Sequence, residues 1–218
     1  MSLSSLAGRF RAPPPFLFFG SFFFHTEIIE KRKENRTHNM AFKAHGLRGS
    51  ELEELINRTI DLYRMRGLAL IQKIPTPITP IRMDNHHHIT LAYFGQKSTV
   101  DYIGAVQGIP VCFDAKECKK TTFPLSNIHA HQVEFMRDFE KQGGIAFFLL
   151  YYTEEDLYYY LPFYKLEEFW KRAEAGGRKS FRMDELDKDF IIEKDGSAPV
   201  PFLKRLADDA ERGDHQNE

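Results

Sequence analysis

The chain has 218 residues, of which 42% are hydrophobic and 28% are charged, a composition typical of one soluble globular domain with tails rather than of a disordered or fibrous protein. Thirty basic residues oppose 31 acidic ones, and this net charge of -1 excludes a protein that is positively charged all over for nucleic-acid binding. Only two cysteines are present, which excludes a disulfide framework and a four-thiolate zinc site and indicates a reducing, cytoplasmic compartment.

The first 39 residues differ from the rest of the chain. Three prolines precede a run of mostly phenylalanine over residues 16–24, and a charged run follows it. The apolar run is at most about half as long as the ~20 residues of a membrane-spanning helix, and no small-residue cleavage pattern follows it. We therefore expect residues 1–39 to be a disordered or non-native extension before an internal start at Met40. A secretion or membrane signal and a partner-binding arm are the alternatives.

The next segments predict a helix, a strand and a projecting hairpin. Apolar residues recur at helical spacing over residues 51–66, and residues 68–71 predict a short buried strand. Prolines at positions 75, 77 and 80 cannot donate to a strand ladder, so the strand must leave the sheet centre there. Alternating apolar residues then surround a polar stretch at 84–88, which predicts a projecting hairpin, the stalk, over about residues 78–96.

The remaining segments complete a mixed α/β pattern. Residues 102–106 and 111–116 flank Gln107-Gly108 and predict a tight hairpin. A helix over 126–141, strands over 145–152 and 157–161, and a helix over 163–175 follow. We expect a single α/β domain over residues 40–207, with a mixed central β-sheet flanked by helices, and a flexible acidic tail over 208–218.

The tight hairpin carries the residues with the clearest chemical use. Strand side chains alternate, so Asp114 and Lys116 share one face, and strand pairing can bring Asp101 near Asp114. Two carboxylates supply oxygen ligands for Mg²⁺, and a lysine can orient the attacking water or stabilise charge on a phosphate. This trio suits phosphodiester hydrolysis. The pattern is weak by itself, because a solvated cross-strand ion pair would look the same.

Three further residues could belong to this site. Gln132 lies on the apolar stripe of the predicted helix over 126–141, where an unpaired buried amide would cost about 1–3 kcal/mol. It is therefore either a satisfied structural glutamine or a ligand for a metal or water. Glu53 and Glu54 begin the first helix. Glu53 suits a helix cap, but either glutamate could extend the acidic site.

Two groups of residues are candidates for contacting DNA. Three consecutive histidines at the stalk tip, His86, His87 and His88, cannot easily converge on one zinc ion, so we interpret them as a polar tip that touches DNA. A basic stretch over residues 116–122 lies close to the proposed site. The best local basic patch, which suits phosphate binding although a solvated helix end is the default, consists of Arg172, Arg178, Lys179 and Arg182.

Several runs resemble the RecU-type Holliday junction resolvases and occur in the order of that family. They are residues 98–104 (Ser-Thr-Val-Asp-Tyr-Ile-Gly), 113–117 (Phe-Asp-Ala-Lys-Glu), 123–132 (Phe-Pro-Leu-Ser-Asn-Ile-His-Ala-His-Gln) and 177–186 (Gly-Arg-Lys-Ser-Phe-Arg-Met-Asp-Glu-Leu), preceded by Arg48-Gly49 and Pro75-Thr76-Pro77. The matches extend from about residue 48 to residue 186. They are far more specific than the pair of carboxylates alone.

The resemblance implies a PD-(D/E)xK nuclease fold, a homodimer and Mg²⁺-dependent, symmetric cleavage of four-way DNA junctions in recombination and repair, with one ion per subunit and Mn²⁺ as an alternative. It implies that the stalk enters the junction. It also implies that Asp101, Asp114 and Lys116 are catalytic, Lys116 acting on the transition state. The implied metal ligands are Thr99, Asp101, Asp114 and Gln132. The family commonly has glutamate where this chain has Asp114, so the carboxylate reaches one methylene less far.

Two other functions stay open on the sequence. A restriction-type or repair nuclease of the same fold would cut duplex DNA, and a protein without catalysis would bind junctions and modulate recombination. The expected partners are branched DNA, a second copy of the chain and recombination proteins, without a membrane. The residues expected to contact DNA are His86, His87, Arg178, Lys179 and Arg182.

Overall fold

The computed structural model describes residues 51–75, 78–94 and 99–214, all of which belong to one compact unit. The predicted extension over residues 1–39, the start at Met40, Arg48-Gly49 and the last residues of the predicted tail lie outside the described ranges. The domain boundary at residue 40 therefore stays a prediction. Within the described ranges, no helix has the length and apolar character needed to cross a membrane.

The elements alternate between helices and strands much as the sequence predicts. In chain order the described residues form α1 (Glu51–Met65), β1 (Ala69–Lys73), β2 (Ile78–Met83), β3 (Ile89–Phe94), β4 (Tyr102–Val106), β5 (Ile109–Cys118), β6 (Thr122–Pro124), α2 (Ala130–Lys141), β7 (Ile145–Tyr152), β8 (Leu157–Pro162), α3 (Phe163–Glu174), β9 (Ser180–Arg182), β10 (Ile191–Ile192) and α4 (Leu203–Asp214).

The central layer is a mixed sheet, as predicted. Its strands lie in the order β1-β4-β5-β7-β8-β10. β5 and β7 run parallel, and the other neighbouring strands of this sheet are antiparallel. β7 is buried along most of its length, which explains its near-continuous apolar sequence. The expected single α/β domain with a mixed central sheet is confirmed.

Helices cover both faces of this sheet. On one face, α1 and the segment before α4 pack against aromatic rings, with the centroid of Phe202 5.3 Å from that of Tyr63 and 5.4 Å from that of Phe113. On the other face lies α2, which contacts β5 and β7. An ion pair of 2.7 Å between Arg137 of α2 and Glu167 joins α2 to α3. The sheet is therefore the middle layer of a three-layer sandwich.

The stalk is confirmed as a hairpin separate from the main sheet. β2 and β3 pair only with each other within the described residues, and the side chains at positions 79–93 are exposed. At the polar tip, Asp84 Oδ1 accepts hydrogen bonds from the backbone N–H groups of His86 and His88 at 2.8 and 2.9 Å. Asp84 Oδ2 lies 3.0 Å from His88 Nδ1. These contacts order the tip as a turn.

The second predicted helix begins later than expected. Residues 125–127 form a short 3-10 turn, and Ile128 and His129 are extended before α2 starts at Ala130. The side chain of Gln132 folds back so that its Oε1 accepts the backbone N–H of His129 at 3.1 Å. This bond caps the first turn of α2. Apolar residues keep a helical spacing before the helix begins, which explains why the sequence predicted an earlier start.

The predicted acidic tail is wrong for residues 208–214, which continue α4. Leu206 of this helix is buried in the core. Asp209 is also buried, and its Oδ2 accepts a hydrogen bond of 2.7 Å from the hydroxyl of Tyr160. Arg212 pairs with two carboxylates at 2.7 and 2.9 Å, those of Asp187 and Asp189. The acidic composition concealed a docked helix, because Asp209 faces the core and Arg212 faces carboxylates distant in sequence.

Candidate active site

The β4–β5 hairpin brings the two predicted carboxylates together. Tyr102 pairs with Phe113 in the ladder, so that Asp101 and Asp114, the next residues outward, are neighbours. Asp101 Oδ2 accepts a long hydrogen bond of 3.4 Å from the backbone N–H of Ala115. The sequence spacing alone predicted this approach, since a tight turn fixes the register of the two strands.

Both oxygens of the Asp114 carboxylate have a side-chain partner. Asp114 is fully buried, and Lys116 Nζ donates to its Oδ1 at 2.7 Å. The amide nitrogen of Gln132 donates to its Oδ2. The predicted shared face of Asp114 and Lys116 is confirmed, and Gln132 reaches the same carboxylate from α2. The catalytic and metal-binding roles of these residues stay predictions.

The electrostatics of Asp114 favour uptake of a positive charge. Burial raises the pKa of Asp114 to about 8, and the neighbouring Asp101 acts in the same direction through a hydrogen bond and its negative charge. The Lys116 ammonium acts in the opposite direction. A buried carboxylate held close to the half-buried Asp101 disfavours two negative charges, unless a proton or a metal cation compensates them.

Gln132 makes the contacts expected of a buried structural glutamine. Only 5% of the residue is exposed, its Nε2 donates to Asp114 and its Oε1 accepts from His129. In this orientation the amide offers its nitrogen to the site. To bind a cation through oxygen, the amide would have to turn over and give up the His129 contact.

The remaining predicted metal ligand is Thr99, which is exposed and lies two residues before Asp101. The Thr99 hydroxyl, and the Gln132 oxygen once its amide has turned over, are oxygen donors of the kind that Mg²⁺ prefers beside carboxylates. Within residues 51–75, 78–94 and 99–214, no three His, Cys, Asp or Glu side chains form a metal-binding cluster. A Mg²⁺ ion here would therefore need hydroxyl, amide and water oxygens beside two carboxylates.

Charged residues join the first turn of α1 to β1 and β5. Glu53 Oε2 pairs with Nζ of Lys73 at 2.6 Å, and Lys73 lies opposite Tyr102 in the β1–β4 ladder. Glu117 Oε1 accepts the backbone N–H of Leu52 at 3.0 Å, across 65 residues. Sequence reasoning did not single out Lys73 or Glu117. No local signal reveals them, because each contact joins segments distant in the chain.

A small two-stranded sheet joins the two basic stretches. β6 pairs antiparallel with β9, and Phe123 lies opposite Phe181. The two rings are fully buried and stack with centroids 5.1 Å apart. Sequence reasoning treated the stretches over residues 116–122 and 178–182 separately. The structure joins their ends, since Thr122 lies opposite Arg182, and we call the surface that both stretches form with the small sheet the β6–β9 surface.

Carboxylates partly neutralise the predicted basic patch. Arg172 Nη1 donates to Glu185 Oε1 at 2.7 Å, and Arg178 Nη2 donates to Oε2 of the same residue. Arg182 pairs with Asp184, its Nη2 lying 2.9 Å from Oδ2. The patch is therefore a network in which arginines have fixed partners, and Lys179 beside it is exposed.

Comparison with known proteins adds evidence that is independent of this geometry. Residues 47–208 match the model of a family described as "RecU: Recombination protein U". A Holliday junction resolvase RecU of Oenococcus oeni is 41% identical over 167 residues, 74% of this chain and 84% of that protein. The same-named protein of Geobacillus kaustophilus is 43% identical over 146 residues, 65% of this chain and 73% of that protein. A solved structure of Archaeoglobus fulgidus Hjc, a Holliday junction resolvase, matches with a TM-score of 0.35 and 14% identity over 65% of this chain and 90% of that one.

Proposed function

The chain belongs to the RecU family, and on that premise we propose that it is a Mg²⁺-dependent endonuclease that resolves Holliday junctions during recombination and repair. The observation that carries the proposal is the buried Asp114 carboxylate, which lies beside Asp101 and contacts both Lys116 and Gln132. This is the arrangement expected of a PD-(D/E)xK nuclease site, with aspartate at the second acidic position.

The residues of the site divide the work of phosphodiester hydrolysis. Asp101 and Asp114 would hold Mg²⁺, with oxygens of Thr99 and Gln132 and water completing the shell. When bound, this ion lowers the pKa of a bound water and neutralises charge on the phosphate. Lys116 keeps a second positive charge 2.7 Å from Asp114, where it stabilises the negative charge that grows on the phosphate oxygens. Water attacks the phosphorus, and the bond to the leaving sugar oxygen breaks.

A homodimer fits this reaction, since two copies related by a two-fold axis would cut two opposed strands of a two-fold substrate symmetrically. The stalk is suited to contact the DNA or the second copy of the chain. Its large apolar side chains are about half exposed, between 47% and 59%, and exposed apolar patches mark sites of contact with other molecules. The stalk enters the junction, where these side chains meet bases or the second copy. They are Ile81, Met83, Ile89, Leu91 and Tyr93.

The β6–β9 surface would follow the DNA backbone away from the site. It begins at Lys116 and continues through the lysines of residues 119–120 to β9. Phosphate contacts of this kind orient DNA without reading its sequence. The protein works in the cytoplasm with recombination proteins as further partners. The residues assigned to DNA binding are His86, His87, Arg178, Lys179 and Arg182.

Cleavage of a labelled mobile four-way junction tests the proposal. The wild type and Asp114→Ala are incubated with Mg²⁺ and either the junction or a linear duplex of the same sequence. Paired symmetric nicks in the junction only, lost in the variant, are the expected result. Equal cutting of the duplex would instead indicate a restriction-type or repair nuclease. Junction binding without cleavage by the wild type would indicate a junction-binding protein that modulates recombination.

A further inference from the structure

One carboxylate organises the β6–β9 surface. Glu185 lies in the 3-10 turn after β9, and its Oε1 accepts from Arg172 Nη1 at 2.7 Å. Its Oε2 accepts from Arg178 Nη2 and, at 2.7 Å, from the backbone N–H of Arg182. The side chain is 22% exposed. Glu185 therefore joins the end of α3, the loop after it and β9 through one anion.

The charge of Glu185 is fixed by these contacts. Partial burial acts to raise the pKa of the Glu185 carboxyl, but hydrogen bonds from Arg172 and the Arg182 backbone outweigh it and lower this pKa. The carboxyl is accordingly ionised at neutral pH. Arg172 faces inward, since its Nε is buried and lacks a hydrogen-bond partner among the described residues. Glu185 compensates the charge of this half-buried guanidinium.

Arg178 differs from Arg172 because part of it is available to a ligand. Its side chain is 43% exposed, Nε donates to the carbonyl oxygen of Ser180 at 3.0 Å and Nη2 donates to Glu185. A guanidinium has five N–H groups, so these bonds leave three for a phosphate. These two contacts lie on one edge of the Arg178 guanidinium and hold it in place. The side chain is therefore already ordered before DNA binds, and binding loses less side-chain entropy.

The neighbouring carboxylate provides a contrast within the same turn. Asp184 is 65% exposed and pairs with Arg182, its Oδ1 accepting from Nε at 3.0 Å. It joins no second segment of the chain in these contacts. An exposed pair of this kind contributes little to structure, and near DNA its negative charge mainly repels phosphate.

We propose that Glu185 is a positioning residue for DNA binding, which holds the Arg178 guanidinium on the β6–β9 surface with its remaining N–H groups available to a backbone phosphate. The inference rests on the proposed binding of junction DNA. It predicts a change in DNA affinity opposite in sign to the one expected from net charge alone. Removal of a negative charge from a DNA-binding surface ordinarily strengthens binding, whereas removal of the Glu185 charge weakens it, because Arg178 loses its fixed position.

The test compares Glu185→Gln with Asp184→Asn, a matched loss of one negative charge from the adjacent residue. The dissociation constant for a four-way junction is measured without Mg²⁺ at several salt concentrations, and kcat is measured with Mg²⁺ at saturating junction. We expect Glu185→Gln to weaken binding roughly tenfold and to reduce the salt slope by about 1, the effect of one lost phosphate contact, with kcat little changed. Asp184→Asn should bind as tightly as the wild type or more tightly.

Arg178→Gln and the double variant show whether Glu185 acts through Arg178. We expect the double variant to bind no more weakly than Arg178→Gln alone, since both changes remove one contact. Additive losses would overturn the proposal, as would Glu185→Gln binding as tightly as the wild type. If Glu185→Gln does not fold, as judged by thermal unfolding, Arg178→Gln alone decides, and an unchanged salt slope would overturn the proposal. A wild type that does not bind junctions would overturn the proposed function as well, whereas a wild type that binds and cleaves leaves that function standing.

Discussion

The buried site on β4 and β5 and the exposed β6–β9 surface use charge in opposite ways. At the site, Asp114 is fully buried and both its oxygens have side-chain partners. On the surface, Arg178 and Lys179 are exposed, and a carboxylate holds the arginine from one edge. Charges in a low dielectric interact strongly, whereas exposed charges are screened by salt. Changes at the site should therefore act on the chemical step, and changes on the surface should act on affinity.

The largest effect should come from Asp114→Asn. The variant keeps the shape of the side chain but removes the charge that would hold Mg²⁺, and we expect cleavage to fall by at least about 100-fold. Stability should fall by about 1–3 kcal/mol, because the Asn amide nitrogen must face one of the two donors, Lys116 or Gln132, that the carboxylate accepts from. Asp138→Asn, on the exposed side of α2, is the control. Junction cleavage at the wild-type rate by Asp114→Asn would show that the site lies elsewhere.

The next effect concerns the packing that supports the β6–β9 surface. Phe181 is fully buried and its ring centroid lies 5.1 Å from that of Phe123 and 4.6 Å from that of Phe169. Phe181→Ala should lower the free energy of unfolding by about 3–5 kcal/mol, measured by denaturant unfolding. Junction affinity should fall more than kcat, because the pairing of β6 with β9 loosens. An equal loss of both would mean that the two regions are not separable.

A pH-dependent effect follows from Asp209 on α4. Burial raises the pKa of Asp209 to about 6. The folded protein thus holds this proton more tightly than the unfolded chain, whose aspartates titrate near 3.9. The stabilising contribution is complete below about pH 4 and is lost as the pH rises to about 6, amounting to ~3 kcal/mol.

Asp209→Asn should remove this slope. The difference in unfolding free energy between variant and wild type should grow in favour of the variant between pH 4 and pH 6, as measured by urea unfolding at each pH. Asn keeps an acceptor for the Tyr160 hydroxyl, so the hydrogen bond is retained. A constant difference across this range would mean that Asp209 ionises as freely in the folded protein as in the unfolded chain.

Asp114→Glu separates the effect of charge on cleavage from the effect of side-chain size on stability. The added methylene must fit beside Lys116 and Gln132 in a fully buried place, and overpacking typically costs about 1–3 kcal/mol. We expect cleavage to persist while the melting temperature falls, because a carboxylate is kept. Loss of cleavage at unchanged stability would show that the reach of the carboxylate, rather than its charge, decides activity.

The smallest effect should come from Lys179→Ala. An exposed lysine that contacts one phosphate should weaken junction binding only a few-fold and reduce the salt slope by about 1. Lys141→Ala, which removes a cation paired with Asp138 at the end of α2, is the comparison and should leave the salt slope unchanged. Identical slopes for both variants would place Lys179 outside the DNA interface.

Local patterns in the sequence determined much of the fold and the centre of the site. Gln107-Gly108 set the turn that makes Asp101 and Asp114 neighbours, and strand alternation placed Lys116 beside Asp114. These inferences succeeded because a tight turn and a two-residue strand period act over a few residues. The apolar stripe of α2 likewise pointed to Gln132, although it did not show where that helix begins.

Contacts between distant segments were decided only by the tertiary structure. The α1 cap supplied by Glu117, the burial of Asp209 and the pairing of β6 with β9 each join parts of the chain that no periodicity relates. Composition alone gave a wrong prediction for the acidic residues of α4, which it assigned to a flexible tail. An isolated charged residue looks the same in sequence whether it is solvated or paired, and the difference arises only when folding brings its partner to it.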